Sequence, residues 1–421
     1  MIAYQADWVC PATSDAVRNG YVLVKDGRIV RVGSEAPPPD VECVNFPGCA
    51  MIPGFVNAHT HLELTLFRDI LGNLPFAEWI GQLVRIKYGS CTPEVLRLSA
   101  RVGAIEMLRA GVTTVGEVMD VGSGWEAMLE FGLQGIAYQE VFGPAEEAAP
   151  GALSALQEKV DQHRKRETST QRVGVSPHAP YTVSKPLYEG VRDYARRERL
   201  RMTAHIAESG DETLFVRDGT GPFAAAHGKR DIAVVARHAR PVAYLEKLGL
   251  LGPDMLAVHV IEIDSEDLQR LRETGTFVVH CPKSNAFLGH GVARVADMRR
   301  LGIGVALGTD SVASNDSIDM FGEMRRAQEQ QGLSFEDVFR MATTEGARAL
   351  GMETQLGSLE AGKRADFAVV GLRDAVTDPV ENIVRFAKPA DVRSTYVGGR
   401  EVRVDDHDLR EELARQVARL T

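Results

Sequence analysis

Cysteine is scarce in this chain and follows no pairing pattern. Only 5 cysteines occur among 421 residues, and they are scattered with no C-x-x-C pair, which argues for reduced thiols and against a disulfide framework. Apolar runs are also short, because none approaches the roughly 18–20 residues of a membrane helix. The N-terminal stretch MIAYQADWVC contains Asp7 and no basic segment, so we expect no signal peptide. These absences predict a cytoplasmic protein without a membrane partner.

An excess of positive charge is missing as well. The chain carries 48 Lys and Arg against 58 Asp and Glu, a net charge of −10. Non-specific nucleic-acid binding needs a basic face, so we expect no nucleic-acid partner. The 44% of apolar residues is enough for a large core, and a small molecule is the expected ligand.

Strand-like apolar segments alternate with helical ones through the middle of the chain. Thr92-Pro93-Glu94 has the features of a helix start, and Gly111 those of the position after its end. Ser334-x-x-Asp337 resembles a capping box, and we expect its helix to end near Gly351. The strand-like segments are FVNAHTH, GVTTVGEVMD, GIAYQEVFG, RVGVSPHAPY, RMTAHIAES, MLAVHVIEI, TFVVHCPKSN and GVALGTDSVAS. This alternation predicts an α/β fold, a (β/α)8 TIM-like barrel over residues 53–354.

The two ends of the chain are rich in strand and turn signals. Residues 1–52 contain a hairpin with Asp26-Gly27 at its turn, and residues 355–405 contain another with Gly398-Gly399. Neither piece is long enough for a good sheet, so we predict one small β-sandwich built from both ends. Residues 406–421 are expected to form a C-terminal helix. The long connection from 209 to 253 is expected to be a partly helical lid.

Polar residues occur where the predicted barrel strands end. Because active sites of such barrels lie at the carboxyl ends of the strands, these residues are expected to meet. His59 and His61 are separated by one residue, and positions i and i+2 of a strand point to the same side. The complete set is His59, His61, Glu117, His178, His205, Glu208, His259, His280 and Asp310.

Four of these residues have the chemistry of a metal site. His59 and His61 end the first strand, His205 the fifth and Asp310 the eighth. Three imidazoles and one carboxylate suit a divalent transition metal, Zn²⁺ in the first place and Fe²⁺ as the alternative. With an open coordination position, such an ion lowers the pKa of a water molecule to about 7.

The motifs around these positions carry a family resemblance. PGFVNAHTHLE, HIAE, AVHV, HCPKSNAFLGHG, LGTDSVASN and GSLEAGKRADFAVV together resemble the amidohydrolase superfamily, in its mononuclear deaminase and chlorohydrolase branch. The resemblance implies that His59, His61, His205 and Asp310 bind one metal ion. Branches with two metals carry a carboxylated lysine after strand 4, and GVSPHAPY has no lysine. The resemblance also implies a small-molecule substrate and, in many members, a homodimer.

Three residues are expected to act in catalysis. Deamination of an aromatic ring requires a proton at the ring nitrogen, and Glu208, three residues after a ligand, is placed to deliver it. Its alternative role is that of a solvated loop glutamate. His259 is expected to hold and polarise the attacking water, unless it is a core histidine. Asp310 is expected to accept the proton of that water.

The resemblance also suggests substrate contacts. His178 matches a substrate-contacting histidine of relatives that act on adenosine-like compounds, although it also fits a strand-end histidine bonded to backbone. Trp79, Ser284 and Glu208 are further expected contacts. A carboxylate on the substrate would need a cationic partner, for which the sequence offers Arg217, with Arg68 and Arg85 as alternatives.

The lid and motif details resemble the deaminases of 6-amino-6-deoxyfutalosine, in the futalosine route of menaquinone biosynthesis. Relatives that deaminate methylthioadenosine and S-adenosylhomocysteine carry a ribose-binding glutamate near the position of Lys87-Tyr88, where this chain has none. Those nucleosides and other purines, pyrimidines or triazines remain alternative substrates. A chlorohydrolase-type displacement and a non-catalytic scaffold are the alternative functions.

Overall fold

The structure is a computed structural model that describes residues 1–373 and 376–420. Residues 374, 375 and 421, which fall within the predicted terminal segments, lie outside the described residues. The strands are β1 (Ile2–Val9), β2 (Val17–Arg18), β3 (Tyr21–Lys25), β4 (Arg28–Gly33), β5 (Glu42–Pro53), β6 (Phe55–Thr60), β7 (Val112–Met119), β8 (Gln134–Val141), β9 (Gln171–Pro177), β10 (Met202–Ile206), β11 (Met255–His259), β12 (Phe277–His280), β13 (Val305–Leu307), β14 (Phe367–Gly371), β15 (Val392–Val397) and β16 (Arg400–Glu401).

Helices follow most barrel strands and also occur in the long connections. The helices are α1 (Phe76–Ser90), α2 (Pro93–Arg109), α3 (Ser123–Phe131), α4 (Ala149–Arg164), α5 (Lys185–Glu198), α6 (Gly210–Asp218), α7 (Gly221–Gly228), α8 (Pro241–Lys247), α9 (Ser265–Thr274), α10 (Pro282–Phe287), α11 (Val295–Arg300), α12 (Met320–Gln331), α13 (Phe335–Met341), α14 (Thr344–Ala349), α15 (Pro379–Phe386) and α16 (His407–Val417). No helix in the described part of the chain is long and apolar enough to cross a membrane.

The central sheet is the predicted (β/α)8 barrel. Its 8 strands, β6 to β13, are parallel and lie side by side in chain order. Closure occurs between the first and last strands, where the amides of Thr309 and Asp310 donate to the His59 carbonyl at 3.1 and 3.0 Å. The Asn57 side chain reinforces this seam, since it donates to Thr309 Oγ1 at 2.7 Å. The seam therefore brings the carboxyl ends of β6 and β13 together.

The second sheet is built from both ends of the chain, as the sequence predicted. Strands β1 to β5 pair with β14 to β16 in one mixed sheet. Both predicted turns are present. Asp26 and Gly27 have φ of 50° and 76°, and Gly398 and Gly399 have φ of 56° and 69°, the left-handed conformation that two-residue hairpin turns require. This sheet packs its own apolar core around residues such as Tyr4, Phe367 and Tyr396.

The prediction of one continuous helix from Ser334 to near Gly351 was wrong, because the segment contains two helices. Ser334 caps its start as expected, since its side chain accepts from the Asp337 amide. However, the helix ends at Met341, and α14 begins only at Thr344. The carbonyl of Ala342 accepts the Val56 amide of the first barrel strand at 2.8 Å. The first barrel strand thus forms a hydrogen bond with the backbone between the two helices. This contact joins residues far apart in the chain, so the local sequence pattern could not predict it.

Candidate metal centre and active site

The four predicted metal ligands meet at the carboxyl end of the barrel. His59 lies in β6, His61 directly follows that strand, His205 lies in β10, and Asp310 follows β13. One ligand atom from each lies within 4.8 Å of the others. Asp310 Oδ1 is 3.6 Å from His59 Nε2 and 3.5 Å from His61 Nε2. A tetrahedral zinc ion with bonds of about 2.1 Å separates its ligand atoms by roughly 3.4 Å.

The three imidazoles are prepared to act as neutral ligands. Burial lowers the pKa of His59 and His61, and that of His205 to about 4. His205 Nδ1 donates to the His178 carbonyl at 3.1 Å, which leaves the lone pair of Nε2 free. Neither ring nitrogen of buried His59 has a hydrogen-bond partner. Buried polar atoms without a partner are costly, so this donor set fits a transition metal.

Asp310 is held in position from several sides. Its φ of 57° is an unfavourable left-handed conformation, of the kind that concentrates at functional sites. Ser284 and Ser314 donate to Oδ2 at 2.6 and 2.9 Å, and the Ser311 amide donates to Oδ1 at 2.7 Å. Burial by itself would raise the Asp310 pKa, but the neighbouring histidines, above all His59, hold it well below its usual range. The carboxylate is therefore ionised and can act as a metal ligand.

Glu208 lies beside the ligands without being one of them. Its Oε1 atom is 3.6 Å from His259 Nε2 and 3.4 Å from His290 Nδ1. Burial alone would raise the Glu208 pKa, but these two imidazoles lower it and keep the carboxylate ionised. The backbone here has unusual φ values of 53° at Ala207 and 73° at His259. A fully buried base with defined neighbours has the geometry of a proton-transfer group.

Glu212 determines where the backbone of Glu208 lies. Its Oε1 accepts from the Ala207 amide and its Oε2 from the Glu208 amide, each at 2.8 Å. Ser209 begins the helix that carries Glu212, and its side chain accepts the Glu212 amide. The buried Glu212 carboxylate thus holds the strained turn at Ala207. Glu212 lies in no strand and in none of the motifs that indicated the metal site, so the sequence pattern did not reveal this role.

A second group of potential ligands shares His205 with the first. It consists of Glu140, His178 and His205. His205 Nδ1 is already occupied by its bond to the His178 carbonyl, and the single lone pair of Nε2 cannot serve two ions. The His178 Nδ1 atom lies 2.7 Å from Thr182 Oγ1. Within the described residues, the geometry therefore supports one metal ion.

A cavity of about 410 Å³ opens from these groups, within the usual range for small-molecule sites. His61, His205, Glu208 and Asp310 form its polar end, and apolar side chains such as Phe76 line its walls. The predicted contacts His178 and Trp79 also line it. Ser284 instead lies behind Asp310, where its hydroxyl binds that carboxylate.

The structure does not bring the predicted arginines into this cavity. The Arg217 guanidinium is half-exposed and pairs with Asp218 at 2.7 Å, while Arg68 pairs with Glu106. Arg85 lines a separate surface depression. Lys87 and Arg230 are the cations that line the cavity. Lys87 is buried, with its Nζ atom 3.0 Å from Asp120 Oδ2.

Several functional positions were not singled out from the sequence. Asn285 contacts His259, His290 contacts Glu208, and Ser314 contacts Asp310. All three lie in motifs that carried the family resemblance, HCPKSNAFLGHG and LGTDSVASN. The signal was therefore present, but a pattern of residues cannot tell which side chains of a motif face the centre.

The comparisons with known proteins define the class. The Amidohydrolase family model matches residues 50–402, and the chain belongs to this family. It is 33% identical to a 5-methylthioadenosine/S-adenosylhomocysteine deaminase of Syntrophobacter fumaroxidans, over 92% of this chain and 88% of that protein. It is 32% identical to a 5'-deoxyadenosine deaminase of Methanothermobacter thermautotrophicus, over 91% and 89% of the two chains.

Solved structures agree with this assignment. A zinc-bound adenosine deaminase from Xanthomonas campestris superposes with a TM-score of 0.86 at 26% identity, and the match covers 100% of this chain and 98% of that one. The expected superfamily and the expected fold are therefore both confirmed. The protein is an enzyme of the amidohydrolase family with a site for a metal ion.

Proposed function

We propose that the protein is a metal-dependent hydrolytic deaminase that releases ammonia from the adenine ring of a nucleoside. The observation that carries this proposal is the position of Glu208. It is a buried carboxylate beside the four ligands, it lines the cavity, and it contacts His259. Relatives that are 33% and 32% identical have names of deaminases of adenine nucleosides, which supports the same chemistry.

The residues of the chain divide the work of this reaction. When bound by His59, His61, His205 and Asp310, the metal supplies a Lewis acid that activates water. His259 orients the attacking water from the side opposite its bond to Asn285. Glu208, ionised at rest, accepts one proton of the attacking water and delivers it to the ring nitrogen beside the attacked carbon; Asp310 accepts the second proton of that water, which Glu208 then moves to the leaving amine.

We propose zinc as the metal, because three imidazoles and one carboxylate suit it and the Xanthomonas campestris structure contains zinc. We also propose a homodimer, as the family resemblance implies. Elemental analysis of the purified protein and light scattering after size-exclusion chromatography test these two points. Iron as the bound metal, or a monomer at micromolar concentration, would contradict them.

The specific substrate that we propose is 6-amino-6-deoxyfutalosine, an adenine nucleoside with a carboxyphenyl group, which would place the protein in menaquinone biosynthesis. The resemblance of the lid and of the motifs to deaminases of that compound supports this choice, and the lack of a glutamate near Lys87-Tyr88 weakens the case for methylthioadenosine and S-adenosylhomocysteine. Those two compounds and 5'-deoxyadenosine are the competing substrates.

An ammonia-release screen tests both levels of the proposal. The purified enzyme is assayed with 6-amino-6-deoxyfutalosine, methylthioadenosine, S-adenosylhomocysteine, 5'-deoxyadenosine, adenosine, guanine and a chlorinated triazine. The highest kcat/KM is expected for 6-amino-6-deoxyfutalosine. A higher value for another adenine nucleoside would replace the substrate but keep the class. Chloride release without any ammonia release would replace the class.

A further inference from the structure

The cavity is lined by more acidic than basic side chains, and only one of its two basic side chains forms an ion pair. Five carboxyl groups line it, those of Glu63, Asp120, Glu140, Glu208 and Asp310, of which burial raises the pKa of Glu140 to about 8. Of its two cations, Lys87 lies 3.0 Å from Asp120. Arg230 is exposed and forms no ion pair anywhere in residues 1–373 and 376–420. Arg230 is therefore the uncompensated positive charge of an otherwise acidic cavity.

The position of Arg230 is determined by the helix before it. Phe223 of α7 stacks on Tyr181 with ring centroids 4.0 Å apart and planes 6° apart. His227 Nε2, in the same helix, donates to the Tyr181 carbonyl at 2.9 Å. These contacts fasten α7 to the loop after barrel strand β9, so this part of the connection is packed against the barrel.

A turn then carries the chain from α7 to the rim of the cavity. The Arg230 amide donates to the His227 carbonyl at 2.9 Å, and the Ile232 amide donates to the same carbonyl at 3.1 Å. Two successive hydrogen bonds thus hold the backbone of Arg230: its amide bonds to the His227 carbonyl, and the His227 ring bonds to the carbonyl of Tyr181, which lines the cavity. Burial lowers the pKa of His227, so this neighbour is neutral and adds no second charge.

The electrostatics separate the cavity into two regions. Lys87 is already paired with Asp120, so it offers an anion little net charge, and the space beside the four ligands is taken up by the reacting ring of the substrate. Aromatic and aliphatic side chains, among them Phe76, Trp79 and Leu288, line the walls. A substrate with its reacting ring at the ligands and an apolar middle part can present a negative charge only at the exposed rim.

We propose that Arg230 binds an anionic group, a carboxylate or a phosphate, at the end of the substrate that is remote from the reacting ring. This inference rests on the proposed deaminase function and deepens it, because it defines the substrates as adenine nucleosides with a negatively charged substituent on the sugar side. Arginine is suited to the task, since its planar fork donates two parallel hydrogen bonds to either anion.

The test compares adenosine with adenosine 5'-carboxylate and adenosine 5'-phosphate. Wild-type enzyme should have a lower KM for at least one of the anionic compounds than for adenosine, and the preferred one identifies the anion. Arg230→Ala should raise KM for that compound by roughly tenfold or more and leave KM for adenosine and kcat for both nearly unchanged. Arg230→Lys should restore part of the affinity, because it keeps the charge but loses the fork.

Arg217→Ala is the matched control, since this arginine belongs to the same connection but pairs with Asp218 outside the cavity. It should leave the ratio of the two KM values unchanged. An equal effect of Arg230→Ala on neutral and anionic substrates would overturn the inference, as would an equal effect of Arg217→Ala.

Failure of the proposed function has a different signature. If the wild-type enzyme released ammonia neither from these three compounds nor from any adenine nucleoside of the ammonia-release screen, deamination of adenine nucleosides would be wrong. Calorimetric binding of the same three compounds to the metal-loaded protein then decides the role of Arg230. A preference for an anionic compound that is lost in Arg230→Ala supports the anion site, and equal binding of all three compounds contradicts it.

Discussion

The Nδ1 atom of His259 lies 2.8 Å from the Oδ1 atom of Asn285. The amide oxygen can only accept, so Nδ1 carries a proton and donates it. Nε2 is then the ring nitrogen that faces Glu208 Oε1, 3.6 Å away. One hydrogen bond on the far side of the ring thus selects which nitrogen faces the reacting groups.

This bond leads to the first prediction. Asn285→Ala should lower kcat by roughly 5- to 150-fold, because losing a buried hydrogen bond of about 1–3 kcal/mol frees the orientation of His259. Metal content should be unchanged, as measured by elemental analysis. Asn285→Asp keeps an acceptor and should retain more activity than Asn285→Ala. Equal losses in the two variants would show that the bond itself has no role.

A second prediction concerns the metal. The purified enzyme should contain about one transition-metal ion per chain, and exhaustive chelation should abolish activity until metal is restored. His61→Ala should lose metal and activity together, because it removes one of the four ligands. His407→Ala is the control, since this histidine is exposed in the C-terminal helix. Two ions per active chain, or full activity after chelation, would contradict the geometry.

Glu208 provides the third prediction, which separates proton transfer from metal binding. Glu208→Gln should keep the fold and the metal but lower kcat by about 10²- to 10⁴-fold, because glutamine has the same shape and cannot transfer a proton. Steady-state kinetics and metal analysis on the same preparation provide the measurement. The control is Glu273→Gln, at an exposed glutamate of α9. Near-native kcat in Glu208→Gln would point to displacement of a better leaving group than an amine.

The fourth prediction concerns pH and stability. Glu323 in α12 is buried, and burial raises its pKa to about 8 from the usual 4.5, even though the Lys283 amide and the Asn315 side chain donate to it. Its folded-state pKa thus exceeds the unfolded value, so the folded protein binds the proton more tightly. Ionisation therefore costs stability as the pH rises from about 4.5 to about 8.

Glu323→Gln removes this ionisation. The free energy of unfolding of wild-type protein, relative to that of the variant, should fall between pH 5 and pH 8, measured by denaturant titration in that range. Glu329→Gln changes an exposed residue of the same helix and should show no such trend. A difference between wild type and Glu323→Gln that is constant with pH would contradict the raised pKa.

Local patterns were sufficient for much of the molecule. The spacing of His59 and His61 predicted that they converge, and their ring centroids are 4.9 Å apart. The Asp26-Gly27 turn and the N-cap at Thr92 were likewise confirmed. These features depend on residues that are near neighbours in the chain, so backbone geometry alone relates them to structure.

The sequence could not predict in the same way which arginine lies at the cavity. Arg217 and Arg230 occur in one connection with similar surroundings in sequence, and both fit a role in binding an anion. In the structure, Asp218 pairs with Arg217, whereas the stacking of Phe223 on Tyr181 brings Arg230 to the cavity. The difference arises from a contact between segments about forty residues apart.

The sequence by itself therefore determined the fold and predicted that His59, His61, His205, Asp310 and Glu208 converge, because strand periodicity and barrel order place these residues at one end of parallel strands. Tertiary structure decided the surroundings of that centre, among them the amide of Asn285 behind His259 and the arginine at the rim. Each of these depends on how far a side chain reaches across the gap between packed elements, a distance that the order of residues does not contain.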